Sequence, residues 1–259
     1  MEQLSAGDGA AVKRLGIVGA GDFGVFVIPH LRPHFVVEAW DQDEGRRAEV
    51  ERSGARWSSF ESCASCDVVV PAVPVQRLEQ VLRRAAPLLA EGMLWIDVSS
   101  VKVKPIELMQ RLLPPHVDTV ATHPMFGPQS GRDGITGLKV VHCPLRRSTC
   151  VPEFLSQKLG LEVLEMSADE HDRELAYVQG LTHWMARALR EIHMPSLELA
   201  TPAYRHLLAI EEILRQDSDE LFLTIQRENP FAREARAALR RRLRELERWI
   251  EVPSTNGDD

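Results

Sequence analysis

Short apolar blocks punctuate the first two thirds of the chain. Arg14–Val18, Phe35–Trp40, Val68–Val73, Met93–Val98, Thr119–Thr122, Leu138–His142 and Leu161–Met166 have the length and continuity of buried strands. Between them lie helix-length segments: Phe23–Leu31, the amphipathic Val75–Leu89, Pro105–Leu113 and Pro152–Leu159. Strands alternating with helices over about 165 residues predict a doubly wound, mostly parallel sheet. Pro29 should kink or shorten the first helix.

After Ser167 the period changes. Ala168–Ile192 reads as one helix longer than twenty residues, followed by helices over about Pro202–Arg215, Ser218–Asn229 and Phe231–Ile250. The pattern divides the chain into a flexible arm (1–13), an α/β domain (14–167), an all-helical domain (168–251) and a disordered tail (252–259). Apolar stripes lie on more than one helical face, Leu221, Phe222 and Ile225 beside Leu239, Leu243 and Leu246. They imply burial against a partner, hence a homodimer through the C-terminal helices. The Arg240-Arg241-Arg242 run, interspersed with glutamates, reads as a solvated face with i,i+4 ion pairs.

Composition narrows the partners. The 259 residues carry a net charge of −7, with 44% hydrophobic and 27% charged residues. That balance speaks against nucleic acid or an anionic membrane as the main partner and points to a small-molecule substrate. No apolar run reaches the roughly 18 residues of a membrane span, and Met1–Val12 lacks the apolar core of a signal peptide. A cytoplasmic location is expected. Cys63-Ala64-Ser65-Cys66 is a C-x-x-C without a second half, so the expectation is reduced thiols and no metal.

Two stretches carry chemistry. Gly19-Ala20-Gly21-Asp22-Phe23-Gly24 is a G-x-G-x-x-G between a strand and a helix. Its glycines suit a tight turn, a close approach to pyrophosphate and helix–strand packing, and the helix N-terminus suits the phosphates. Asp41 ends the second strand, twenty residues past Gly21, where a carboxylate accepts from ribose hydroxyls and repels a 2′-phosphate. A Rossmann-type domain binding NAD rather than NADP follows. Arg46 and Arg47 read as solvated helix residues. The second stretch pairs Asp97-Val98-Ser99-Ser100-Val101-Lys102 with Ala121-Thr122-His123-Pro124-Met125-Phe126-Gly127-Pro128. Both end apolar strands, and strand ends form the rim where ligands bind in open α/β sheets. Serine, lysine and histidine on one rim make a candidate acid–base site.

On these motifs the chain resembles the prephenate/arogenate dehydrogenase family of tyrosine biosynthesis. Glu170-His171-Asp172, Gln179-Gly180-Leu181-Thr182-His183 and Pro202-Ala203-Tyr204-Arg205 extend the resemblance into the helical part. It implies an oxidative decarboxylation of a cyclohexadienyl ring, with NAD(P) accepting hydride. In that reading His123 takes the proton of the ring hydroxyl, and Ser100 positions the histidine and the reacting groups. Lys102 supports the site as a cation near a substrate carboxylate, and His183 faces the substrate from the helical domain. His171 reads as a helix-start residue outside the catalytic set.

The substrate side departs from the family pattern. The arginine that grips a carboxylate in prephenate-specific relatives falls on Glu212 or Ile213 here, counted back from Asp217. Arg205 either takes part of that role or is structural. Asp133 resembles an acidic determinant of arogenate-using relatives, where pairing with the substrate ammonium is worth about 1.5–3 kcal/mol. Prephenate, arogenate and a 4-amino-4-deoxy analogue all remain open as substrates. A reductase of similar layout would place a catalytic lysine on the long helix, which offers His183 and no lysine.

Overall fold

The computed structural model describes residues 12–145, 150–215 and 217–251. All of the expected N-terminal arm except Val12 and Lys13, and the expected tail, lie outside the described residues. The chain forms two compact units that divide between His171 and Asp172.

The first unit is built on one eight-stranded sheet. Its strands are β1 (Arg14–Val18), β2 (Val36–Trp40), β3 (Arg56–Trp57), β4 (Val68–Pro71), β5 (Leu94–Asp97), β6 (Asp118–Pro124), β7 (Lys139–Cys143) and β8 (Glu162–Glu165). Their spatial order is β3-β2-β1-β4-β5-β6-β7-β8. Every pairing is parallel except β6–β7, where Thr122 faces His142 and His123 faces Val141. The doubly wound, mostly parallel expectation holds; among the strands the sequence reading lacked β3.

Helices α1 (Asp22–Leu31), α2 (Arg47–Ser53), α3 (Phe60–Ala64), α4 (Val75–Ala85), α5 (Val103–Leu112) and α6 (Cys150–Gln157) connect the strands. Helix α1 runs through Pro29 but ends two residues later. Two apolar clusters are buried. One joins Trp95, Leu78, Leu82 and Met109; the other joins Ile17, Ile28, Val37 and Val120. Cys63 and Cys66 are buried free thiols, and Cys63 belongs to the first cluster with Phe60. Burial pushes Cys66 up to about 11, which removes thiolate chemistry near neutral pH.

Helix α7 (Ala168–Leu175) starts with a capping box: Ser167 Oγ accepts from the Glu170 amide, while Glu170 accepts from the Ser167 amide at 2.9 Å. That cap fixes His171 on the first turn. The expected single long helix is interrupted by a π-helical stretch, Ala176–Leu181, before α8 (Thr182–Glu191). Within it the Gly180 carbonyl accepts from Gln226 Nε2 at 2.8 Å. The remainder of the second unit is α9 (Pro202–Leu214), α10 (Asp219–Glu228) and α11 (Ala232–Glu251). The i,i+4 ion pairs expected around Arg240–Arg242 are replaced, among the described residues, by Arg242–Glu245 at i,i+3 and 2.6 Å.

Candidate active site

The parallel sheet delivers the C-terminal ends of β1, β2, β5 and β6, and with them both motifs. At the end of β1, Gly19 adopts φ 104° and any side chain there would strike the Ala72 carbonyl. Gly21 caps α1, and a Cβ at this position would meet nothing within 4 Å, so the turn opens onto free space at the helix N-terminus. Such a cradle, with unpaired first-turn amides, suits a diphosphate. Asp41 Oδ2 accepts from the Ala20 amide at 2.7 Å. Arg46 is not the solvated side chain expected. Its Nε donates to the Ala20 carbonyl at 2.8 Å and its Nη2 to Asp22 at 2.9 Å, because the short turn after β2 brings it back over the glycines.

At the end of β5 the polar residues turn inward. Ser99 Oγ donates to Asp97 Oδ1 at 2.5 Å, and Thr122 Oγ1 donates to the Asp97 carbonyl at 2.8 Å. Lys102 was expected to meet a substrate carboxylate; its side chain is instead 0% exposed and its ammonium binds Asp97 Oδ2. The same Nζ donates to the Thr122 carbonyl at 2.5 Å. A buried ammonium needs a counter-ion and full hydrogen bonding, and Asp97 with Thr122 supplies both. The lysine thus ties the 97–102 loop to the residue before His123.

His123 is 4% exposed, and its Nδ1 lies 2.9 Å from Nε2 of His171, which is fully buried. The rings meet edge to face. Burial, the neighbouring His171 and the Lys102 charge together hold the His123 pKa well below the ordinary histidine value. Its ring is neutral near pH 7, the form that accepts a proton. Ser100 is half-buried beside this network, but the Nδ1 partner of His123 is His171 rather than Ser100. His171 is therefore the residue that sequence reasoning set aside. Its signal was the Glu170-His171-Asp172 motif, read as a helix start. Asp133 lies on the loop after β6, its carboxylate 91% exposed and 3.5 Å from Arg132.

In the second unit His183 Nδ1 lies 3.3 Å from Asp217 Oδ2. Burial holds the imidazole below its ordinary pKa against the pull of Asp217, and raises the carboxylate. The cleft beside this pair is lined by Arg187, Arg190, Glu211 and Arg215. Arg205 is exposed and donates to the Ala200 carbonyl at 2.7 Å, while Glu212 pairs with Arg215 at 2.9 Å.

Fold and site together define a Rossmann-type nucleotide-binding domain with a buried histidine at its rim, joined to a helical unit. Residues 31–147 match the family described as prephenate dehydrogenase, nucleotide-binding domain. Arogenate dehydrogenase 1, chloroplastic, of Arabidopsis thaliana is 31% identical over 89% of this chain and 38% of its own length. The 4-amino-4-deoxyprephenate dehydrogenase of Streptomyces pristinaespiralis is 30% identical over 78% of this chain and 70% of its own. The prephenate dehydrogenase of A. aeolicus, solved with hydroxyphenyl propionate and NAD+, superposes with a TM-score of 0.74. It is 20% identical, over 93% of this chain and 92% of that one. The chain belongs to the prephenate/arogenate dehydrogenase family, and it spans 38–66% of the length of its plant relatives. No helix among the described residues is long and apolar enough to cross a membrane.

Proposed function

We propose that the chain catalyses the NAD-dependent oxidative decarboxylation of a cyclohexadienyl substrate. The observation that carries this reading is the buried, neutral His123, held through Nδ1 by His171 at the rim that also presents the glycine turn. First-turn amides at Asp22 and Phe23 would hold the diphosphate of NAD, and Asp41 a ribose hydroxyl. When bound, NAD supplies the hydride acceptor. With Nδ1 engaged, Nε2 of His123 is the atom that meets the ring 4-hydroxyl and takes its proton as hydride leaves carbon 4. Loss of the carbon-1 carboxylate as CO₂ then aromatises the ring. His171 fixes the ring orientation and tautomer of the base, and Lys102 fixes its backbone and keeps it neutral. Ser100 stays within this reading as a neighbour of the reacting groups.

Asp133 favours an ammonium-bearing side chain, which supports arogenate. The arginine missing at Glu212 is not replaced by Arg187 or Arg215, whose guanidinium groups pair with Glu191 and Asp219 and with Glu211 and Glu212. The similarity to the Streptomyces relative supports the 4-amino-4-deoxy analogue as the second reading. Exposed Leu243 (49%), Leu246 (52%), Trp249 (76%) and Ile250 (75%) on α11 support a homodimer.

NADH formation with prephenate, arogenate and the 4-amino analogue, each with NAD and NADP, tests the proposal. Turnover of one of the three with NAD is expected; no turnover of any overturns it. His123→Asn should lower kcat by about 10²–10⁴ and leave NAD affinity unchanged. Asp133→Asn should weaken arogenate use more than prephenate use.

A further inference from the structure

One charged side chain at the cofactor turn is left over by the reading above. Asp41 Oδ2 takes the Ala20 amide at 2.7 Å, and Arg46 Nε takes the Ala20 carbonyl at 2.8 Å. Both backbone polar groups of the middle residue of Gly19-Ala20-Gly21 are thus held by side chains from one short segment. That segment is itself braced: Asp41 Oδ1 accepts from the Asp43 amide, and Asp43 caps the turn through the Gly45 amide, each at 2.9 Å.

The rest of the guanidinium is committed as well. Nη2 donates to Asp22 at 2.9 Å and Nη1 lies 3.1 Å from Glu49. The Asp22 carboxylate is 86% exposed at the first position of α1, next to the amides that would receive a diphosphate. Left unpaired, that carboxylate would repel the anion; Arg46 neutralises it. The fork of an arginine can hold a carbonyl and a carboxylate at once, which a lysine ammonium does with less geometric control.

We infer that Arg46 is the positioning residue of the nucleotide site, holding the glycine turn in its receiving shape and screening Asp22 from the diphosphate, and that it is not a receptor for a 2′-phosphate. This rests on the NAD reading above. Asp22 and Glu49 pair with this guanidinium and Asp41, Asp43 and Glu44 belong to the same short stretch of chain, so a 2′-phosphate would meet carboxylates with this cation already paired.

The test is calorimetric titration of NAD, ADP-ribose and NADP into the wild-type chain, Arg46→Ala and Arg46→Lys, with the melting temperature of each free protein recorded. Losing a charge-assisted contact worth about 1.5–3 kcal/mol predicts that Arg46→Ala raises the Kd for NAD and for ADP-ribose equally, by about tenfold or more. Arg46→Lys should recover part of this, with melting temperatures close to wild type, and NADP should bind weakly to all three. Unchanged NAD affinity in both variants overturns the inference, as does a loss confined to NADP. A wild-type chain that binds neither NAD nor ADP-ribose overturns the nucleotide reading, and this inference with it.

Discussion

In the first unit the deepest side chains beside the aliphatic core include charged and titratable ones: Glu38, Asp97, Lys102, His123 and His171. In the second, apart from Asp172, the buried polar side chains among the described residues are Thr224, Gln226 and Asn229, and these serve backbone. Thr224 donates to the Glu220 carbonyl, Gln226 to Gly180 and Asn229 to Asp172. Apolar side chains show the opposite trend. The second unit leaves Tyr177, Val178, Leu199, Ile213, Trp249 and Ile250 more than half exposed, whereas the first exposes Val12 and Val36 to this degree. A unit that closes its own core can hold charges inside it, because the fold supplies their partners. A unit that leaves such side chains outside keeps apolar surface that the proposed homodimer would cover.

The sharpest way to break this contrast is at the buried pair. Lys102→Met leaves Asp97 buried without its counter-ion and should cost about 3–5 kcal/mol in urea unfolding. Asp97→Asn with Lys102→Met should recover much of that loss, since no lone charge remains. Removing the cation also relieves the field on His123, so the acid limb of kcat/KM should move up toward the ordinary histidine value. A Lys102→Met protein as stable as wild type would mean that the pair holds nothing in place.

The second unit is tested by its assembly. Leu243→Glu with Leu246→Glu removes two partly exposed leucines from α11, each worth about 1.5–3 kcal/mol when fully buried. Sedimentation should show the dimer dissociation constant raised by at least about 100-fold, with the first unit's far-UV signature intact. A mass unaffected by both charges would remove α11 from the interface.

The contrast also explains what was legible in the sequence. Strand positions, the glycine turn and the helical second part follow from local periodicity, and the structure reproduces them. Partnerships were harder to read. Lys102 and Thr122 lie twenty residues apart, His123 and His171 forty-eight, and nothing local to either says that they touch. A lysine in a polar loop motif looks solvated until the sheet closes over it. Arg46 was misread for the same reason: its partners, Ala20 and Asp22, belong to the preceding strand–helix turn. The π-helical stretch at Gln179-Gly180 leaves no periodic signal, since one wide turn barely shifts the apolar stripe.

Glu38 sharpens the same point without touching the active site. It is 1% exposed on β2 and binds Arg14, Arg56 and Ser62. Burial pushes its pKa up, but hydrogen bonds from Ser62, Ser58, Arg14 and Arg56 prevail and hold it at about 2, against 4.5 when free. The carboxylate is more acidic folded than unfolded, so its contribution is complete above about pH 4.5 and disappears as the pH falls toward 2. Both arginines keep access to water, which limits the cost of Glu38→Gln to about 1–3 kcal/mol at pH 7. The gap between variant and wild type should narrow below pH 4.5; a gap independent of pH would assign the loss to packing.

The smallest effect is expected at Arg205. Its guanidinium lies in solvent and holds the Ala200 carbonyl at 2.7 Å, within the turn that starts α9. That turn has other fastenings: Thr201 accepts from the Tyr204 amide, and the Tyr204 hydroxyl donates to the Pro195 carbonyl at 2.6 Å. One exposed hydrogen bond among several is worth about 0.5 kcal/mol or less. Arg205→Ala should therefore melt within a few degrees of wild type and keep its substrate KM within about twofold, whichever cyclohexadienyl compound is turned over. A tenfold rise in KM at unchanged stability would place Arg205 on the substrate carboxylate.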